Sequence, residues 1–158
     1  MINAHSMSVQ VEGNPEKLFR AGMALLRQER PRDAVLAFEH ALKLSPGQPA
    51  YMSYLGLSMA MCRVRPKDAL DLCRRAVNAS VYHPEFFHNL GQVYLMSGNR
   101  QRAREVFLKG LELDRRDHAL RGEIIAMGVR RPPPIPFLPR NSRINVTLGR
   151  TLKRLKIR

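Results

Sequence analysis

Tryptophan is absent from this chain, and aromatic residues of all kinds make up only 6% of it. Ala, Leu, Met and Arg carry the sequence instead, a composition that favours helices over strands. Cysteine is nearly absent too. Cys62 and Cys73 show neither a CxxC pair nor Cys/His ligand spacing, and each sits in an apolar helical context, so buried reduced thiols are expected rather than a disulfide. No apolar run reaches the length of a membrane span. Met1 to Gln10 has neither a basic start followed by an apolar run nor a small-residue cleavage site, so the cytoplasm is the expected location.

The residues that chemistry would need are missing in the same way. The histidines are His5, His40, His83, His88 and His118, and no pair makes a metal-binding spacing; His83 and His88 are separated across Pro84. There is no Gly-rich phosphate loop, and neither cysteine has a Lys or His arrangement that would make it a nucleophile; Arg74 and Arg75 beside Cys73 are expected to face solvent. No catalytic residue, metal or cofactor is therefore expected.

Acids are missing from one region altogether. Of the formal charge of +14, Arg130 to Arg158 carries nine cations and no acid, leaving 18 cations against 13 acids elsewhere. The chain reads as a mildly basic body with a strongly basic tail.

At 158 residues the chain can bury about 70% of its unfolded surface as one compact unit. Its punctuation repeats. Gly22, Gly56 and Gly91 are spaced by 34 and 35 residues, and Ala34, Ala69 and Ala103 by 35 and 34. The offset between the two series places one extra residue in the turn of the second unit, around Arg63 to Arg65. A period near 34 with helix-pair content points to a solenoid. In the first helix of each pair Leu25, Met59 and Tyr94 follow the glycine by three, so a large side chain and a bare backbone share a face. In the second helix Ala34, Phe38 and Ala41 recur as Ala69, Cys73 and Ala76, then as Ala103, Phe107 and Gly110, a small-large-small stripe for packing.

Pro31 and Pro66 mark the start of second helices, Ser97-Gly98-Asn99 ends a first helix, and Asn14-Pro15, Ser45-Pro46-Gly47 and His83-Pro84 separate the pairs. The predicted helices are 15–28, 31–44, 49–62, 66–79, 84–97 and 100–113. Asp117 caps a seventh, running to about Val129, with Leu120, Ile124, Ile125 and Met127 facing the third pair.

Leu18, Gly22, Leu25, Ala34, Phe38, Ala41 and Pro46 in the first unit, and Phe87, Leu90, Gly91, Tyr94, Ala103 and Phe107 in the third, resemble the tetratricopeptide repeat family over roughly Asn14 to Asp114. The middle unit departs from the family pattern: Met59 stands where Tyr is usual, Cys73 where Phe is usual, and the closing proline is replaced by Val81, which leaves room for looser packing there. The resemblance implies an all-α solenoid of three helix pairs with a capping helix. The expected segments are a mobile N-terminus over 1–13, the solenoid over 14–129, a proline-rich strap over 130–141 and a basic helix over 142–158.

It also implies a groove whose wall is the first helix of each pair: Phe19, Met23, Leu26 and Arg27, then Ser53, Tyr54, Leu57 and Met61, then His88, Asn89, Gln92 and Met96. A methionine-rich wall that turns polar at the third unit suits a peptide with two or three apolar anchors. The alternative is that several of these residues are core within the repeats. Members that hold the acidic C-termini of heat-shock chaperones use Lys, Asn and Arg on this wall. Here Phe19, Met23, Tyr54 and Glu85 occupy the matching positions and only Asn89 stands where a clamp residue would be, which argues against that ligand.

Pro132 to Pro139 is too proline-rich for helix and is expected to be extended. Beyond it Ile144, Leu148, Leu152 and Leu155 fall at helical spacing, with Asn141 or Ser142 as the cap. The tail's cations include Arg140, Arg143, Arg150, Lys153, Arg154, Lys156 and Arg158. Four readings stay open. Ile135, Phe137 and Leu138 would serve as anchors for the chain's own groove or a neighbour's; the cations would track nucleic-acid phosphates, without stacking aromatics for base recognition; the helix would lie on anionic lipid; or it packs outside the solenoid with its charges solvated. The expected function is a non-catalytic adaptor or assembly factor that grips a partner segment in the groove while the tail contacts an acidic surface. A nucleic-acid- or ribosome-associated factor and a secretion-type chaperone of an apolar partner are the alternatives. Integral membrane association is not expected, and the oligomeric state is open.

Overall fold

A computed structural model describes residues 13–128, 135, 138 and 142–154. The chain divides between Met127 and Gly128 into two units. In the first, α1 (Pro15–Arg27), α2 (Pro31–Leu44), α3 (Pro49–Met61), α4 (Pro66–Ala79), α5 (Pro84–Met96) and α6 (Arg100–Leu113) form three pairs, followed by α7 (His118–Ala126). The second unit contains α8 (Arg143–Arg154). No strand occurs among the described residues.

The starts of the helices follow from local chemistry. Five helices carry proline at the first position, where its missing N–H costs nothing. α1, α6 and α7 are capped by side chains: Asn14 Oδ1 accepts from Glu16 N at 2.9 Å, Asn99 Oδ1 from Arg102 N at 3.1 Å and Asp117 Oδ1 from Leu120 N at 2.9 Å.

The turns within pairs share one device. Glu29 N donates to Leu26 O and Arg30 N to Leu25 O; Arg63 and Val64 repeat this on Ala60 and Met59, and Gly98 and Asn99 on Leu95 and Tyr94. Each is a Schellman closure around a left-handed residue, with φ of 57° at Glu29, 55° at Arg63 and 79° at Gly98. The middle turn holds the additional residue expected around Arg63 to Arg65, absorbed by a second left-handed residue, Arg65 at φ 42°.

The core is the small-large-small stripe of the second helices. Ala34, Phe38, Ala41, Ala69, Cys73, Ala76, Ala103 and Phe107 are all fully buried. The repeat glycines receive them: a methyl group at Gly22 would lie 2.5 Å from the Phe38 ring, and one at Gly91 would overlap the Phe107 ring. The middle pair is not looser, contrary to what its sequence suggests. At Gly56 the thiol of Cys73 and the backbone of α4 both close in, with Ala69 O 2.6 Å from the would-be methyl. A smaller side chain has let the backbones approach at this point.

α7 is shorter than expected. Met127 caps it and Gly128, at φ 64°, ends it before Val129. Leu120 is fully buried and Ile124 and Met127 pack beside it, but Ile125 is 74% exposed. Leu120, Ile124 and Met127 share a face at intervals of four and three, whereas Ile125 lies about 100° around the helix from Ile124.

In the second unit Ser142 starts α8: its Oγ accepts from Asn145 N at 3.2 Å and its backbone oxygen from Val146 N at 3.0 Å. Of the proline-rich strap, residues 135 and 138 are described. Leu138 N donates to Ile135 O at 3.3 Å, and the buried amide of Asn145 accepts from Ile135 N at 2.9 Å while donating to Ile135 O and Leu138 O, each at 3.1 Å. One side chain ties the strap to the helix that follows it.

Candidate binding surface on the first-helix layer

The first helices are consecutive neighbours. The Phe19 ring of α1 lies 5.0 Å from that of Tyr51 and 5.5 Å, edge-on, from that of Tyr54 on α3, centroid to centroid. Asn89 of α5 donates to Ser53 Oγ of α3 at 3.0 Å, and Gln92 of α5 donates to Glu123 of α7 at 2.5 Å. α1, α3, α5 and α7 therefore form one layer.

The twelve residues expected on this wall separate into three groups. Ser53 and Asn89 are buried, 0% and 4% exposed, and their hydrogen bond fastens α3 to α5. Their side chains fasten one repeat to the next. Ser53 O also accepts from the Cys73 thiol at 3.4 Å, which links α4 to the same point. Phe19, Met23, Leu26, Tyr54, Leu57, His88 and Gln92 are half-buried, packed at their bases with an edge in solvent. Arg27, Met61 and Met96, the last residues of α1, α3 and α5, are exposed. The surface is thus apolar along α1 and α3 and polar along α5.

Glu123 is the residue the sequence reading missed. It stands five residues into α7, as Tyr54 and Asn89 stand five residues into α3 and α5, so extending the repeat phase into the capping helix would have found it. Its Oε1 accepts from Gln92 and lies 3.4 Å from His88 Nε2. Glu85, exposed at the start of α5, adds a second carboxylate. The Tyr54 hydroxyl is held above the usual tyrosine range, first by burial and then by Glu85, against the hydrogen bond from Asn89 and the charge of Arg27. The layer therefore runs from a cation at Arg27 to carboxylates at Glu85 and Glu123.

The two cysteines are poorly placed for nucleophilic chemistry. Burial pushes the Cys73 thiol up to about 12, so the thiolate needed for nucleophilic chemistry is not formed near neutrality; the Cys62 thiol is also raised, by the same cause. Both cysteines are free, Cys73 buried and Cys62 only partly so. Among the described residues no cluster of His, Cys, Asp and Glu has the makings of a metal site, and no helix is long and apolar enough to cross a membrane. One depression of about 280 Å³ lies away from this layer, lined by Glu39, Leu55, Met59, Arg65, Asp68 and Arg75 among others.

Of the tail residues named from sequence, Arg143, Arg150 and Arg154 are exposed on α8, and Ile135 and Leu138 are half-buried. Phe137, Arg140, Lys156, Arg158 and Leu155 lie outside the described residues, as do residues 1–12 and 129–134; of Lys153 only the backbone is described.

Two family profiles, both described as tetratricopeptide repeat, match residues 19–84 and 84–117. The inactive TPR repeat-containing thioredoxin TTL3 of Arabidopsis thaliana is 30% identical over 91 residues, which is 58% of this chain and only 13% of that protein. The Sgt2 TPR domain from Aspergillus fumigatus matches with a TM-score of 0.64 at 18% identity, covering 72% of this chain and 76% of the other. The first TPR of Spaghetti (RPAP3), bound to the HSP90 peptide SRMEEVD, matches with a TM-score of 0.62 at 14% identity, covering 72% and 91%. At these identities the likeness is one of fold.

Proposed function

The chain belongs to the tetratricopeptide repeat family, whose members are protein-interaction modules, and from that premise we propose that it is a non-catalytic adaptor or assembly factor of the cytoplasm that grips a partner segment on its first-helix layer. The observation that carries this reading is the half-buried edge of Met23, Leu26, Tyr54 and Leu57. All four are incompletely covered, and Met23, Leu26 and Tyr54 pack against the core behind them, which suits an anchor site for an apolar side chain.

The polar end shapes the ligand. A peptide ending in the acidic sequence held by the Spaghetti domain would meet Glu85 and Glu123 here, where a clamp needs cations. The segment that fits carries two or three apolar anchors along α1 and α3 and a neutral or cationic residue toward α7. The basic tail supplies a second contact, to an acidic surface. Two weak contacts on one chain raise avidity by about 10² or more when both engage at once.

Affinity capture with the full chain and with a chain ending at residue 129, each with and without nuclease, tests the division of labour. Partners retained by both chains after nuclease support the layer as the grip. Loss of every partner from the shorter chain contradicts it.

A further inference from the structure

We propose that α8 lies flat on an anionic phospholipid bilayer, its apolar side in the acyl boundary and its arginines among the headgroup phosphates. The proposal rests on the reading of the tail as a second contact, to an acidic surface, and names that surface. At 3.6 residues per turn Ile144, Leu148 and Leu152 fall within an arc of about 80°, and Arg143, Arg150 and Arg154 within an arc of about 40° on the opposite side. Ile144 is 58% exposed and Leu148 38%, and all three arginines are exposed. Of the exposed apolar residues of α8, Val146 alone stands outside the apolar arc.

The polar side chains that border the apolar arc have their donors satisfied within the chain. Asn145 stands at one edge, but it is buried, and its Nδ2 donates to Ile135 O and Leu138 O, each at 3.1 Å. The strap it holds brings the half-buried Ile135 and Leu138 to that edge. At the other edge the Thr147 hydroxyl donates to Arg143 O at 2.8 Å and the Thr151 hydroxyl to Thr147 O at 3.0 Å. Sinking the arc into lipid therefore strands none of these protons, which would otherwise oppose burial.

Charge selects the kind of surface. Residues 130–158 carry nine cations and no acid, so nothing in the tail repels anionic headgroups. Among the described residues none of the three arginines forms an ion pair. A nucleic-acid duplex would take the arginines and leave Ile144 and Leu148 in water, and a single protein face would have to cover opposite sides of one helix. An anionic bilayer accepts both sides at once. A helix is about 10–12 Å across with its side chains, so one sunk about 5–10 Å into the boundary keeps its far side level with the phosphates. At 12 residues α8 is about 18 Å long, too short to span a hydrocarbon core of about 30 Å, so it lies in the plane of the interface.

The test is co-sedimentation of the full chain with vesicles of phosphatidylcholine alone and of phosphatidylcholine mixed with phosphatidylserine. The chain should bind the mixed vesicles only. Arg143→Gln with Arg150→Gln and Arg154→Gln should weaken that binding about 100-fold, at about fivefold for each cation. Ile144→Gln with Leu148→Gln leaves the charge unchanged and should weaken it by about tenfold or more. The chain has no tryptophan, so Leu148→Trp supplies a single reporter, whose emission should shift to the blue on the mixed vesicles. Undiminished binding of either glutamine variant, an unshifted emission, or equal binding to both kinds of vesicle overturns the proposal. So does retention on poly-glutamate or a DNA duplex but not on the mixed vesicles, which leaves the acid-seeking tail intact; binding to none of the three sinks both.

Discussion

Gly91→Ala is the sharpest test of how the repeats pack. The added methyl would fall on the ring of Phe107, within 2.5 Å of Cδ1, 2.6 Å of Cζ and closer still to Cε1. Phe107 is fully buried in a cluster with Ala103 and Leu120, so the ring has no solvent into which to retreat. Overpacking of this kind costs about 3 kcal/mol, and the better helix propensity of alanine returns about 1 kcal/mol, for a net loss of about 2 kcal/mol. Gly122→Ala in α7 is the matched control. Nothing lies within 4 Å of its would-be methyl, so the same substitution should stabilise by up to about 1 kcal/mol. Urea denaturation of both variants should therefore separate them by about 3 kcal/mol, with the m-value unchanged. Phe107→Leu should cost less in the Gly91→Ala background than in the wild-type chain, because the shortened side chain relieves the clash. If Gly91→Ala is as stable as Gly122→Ala, the close approach of ring to helix is not what holds the pairs.

Three further outcomes follow from particular contacts. Asn89→Ala strands the Ser53 hydroxyl in a buried site and should cost about 2 kcal/mol in denaturant, much of it recovered in the double variant Ser53→Ala, Asn89→Leu. Glu29→Gly and Arg63→Gly relieve left-handed backbone at φ 57° and 55° and should each stabilise by about 0.5 to 1 kcal/mol, read as a rise in the denaturation midpoint. Cys73 holds its proton more tightly folded than unfolded, its pKa rising from 9.0 to about 12. Its contribution is therefore intact below pH 9 and is lost as pH rises toward 12. At about pH 10.5 this loss is on the order of 2 kcal/mol, and Cys73→Ala should abolish that part of the alkaline fall.

The fold was legible because its causes are local and repeated. Proline at the first helical position, a left-handed residue in each turn and a glycine facing a large side chain each need only a few neighbouring residues, and three copies in phase remove the ambiguity of one. Misreadings arose where one side chain faces two demands. Ser53 and Asn89 stand at wall positions by phase, yet their polar groups find each other across α3 and α5, and the sequence separation of 36 residues gives no sign of it. Ile125 looked like core by composition, but an adjacent pair of isoleucines on a helix cannot share a face. Glu123 escaped notice because α7 was read for its apolar side, although the phase that identifies Tyr54 and Asn89 points to it as well. The Asn145 clasp joins a strap to a helix through a single amide, and nothing periodic announces such a contact.

The most direct measurement starts with peptides selected from a random library against the full chain, whose affinities are then measured by titration calorimetry. Met23→Glu with Leu57→Glu should weaken them tenfold or more, because each introduces a charge where an apolar anchor is expected to seat, while Arg143→Gln with Arg150→Gln and Arg154→Gln on α8 should change them less than twofold. Equal affinity for the wild-type chain and the Met23→Glu, Leu57→Glu variant would contradict the account: the first-helix layer would then be scaffold alone.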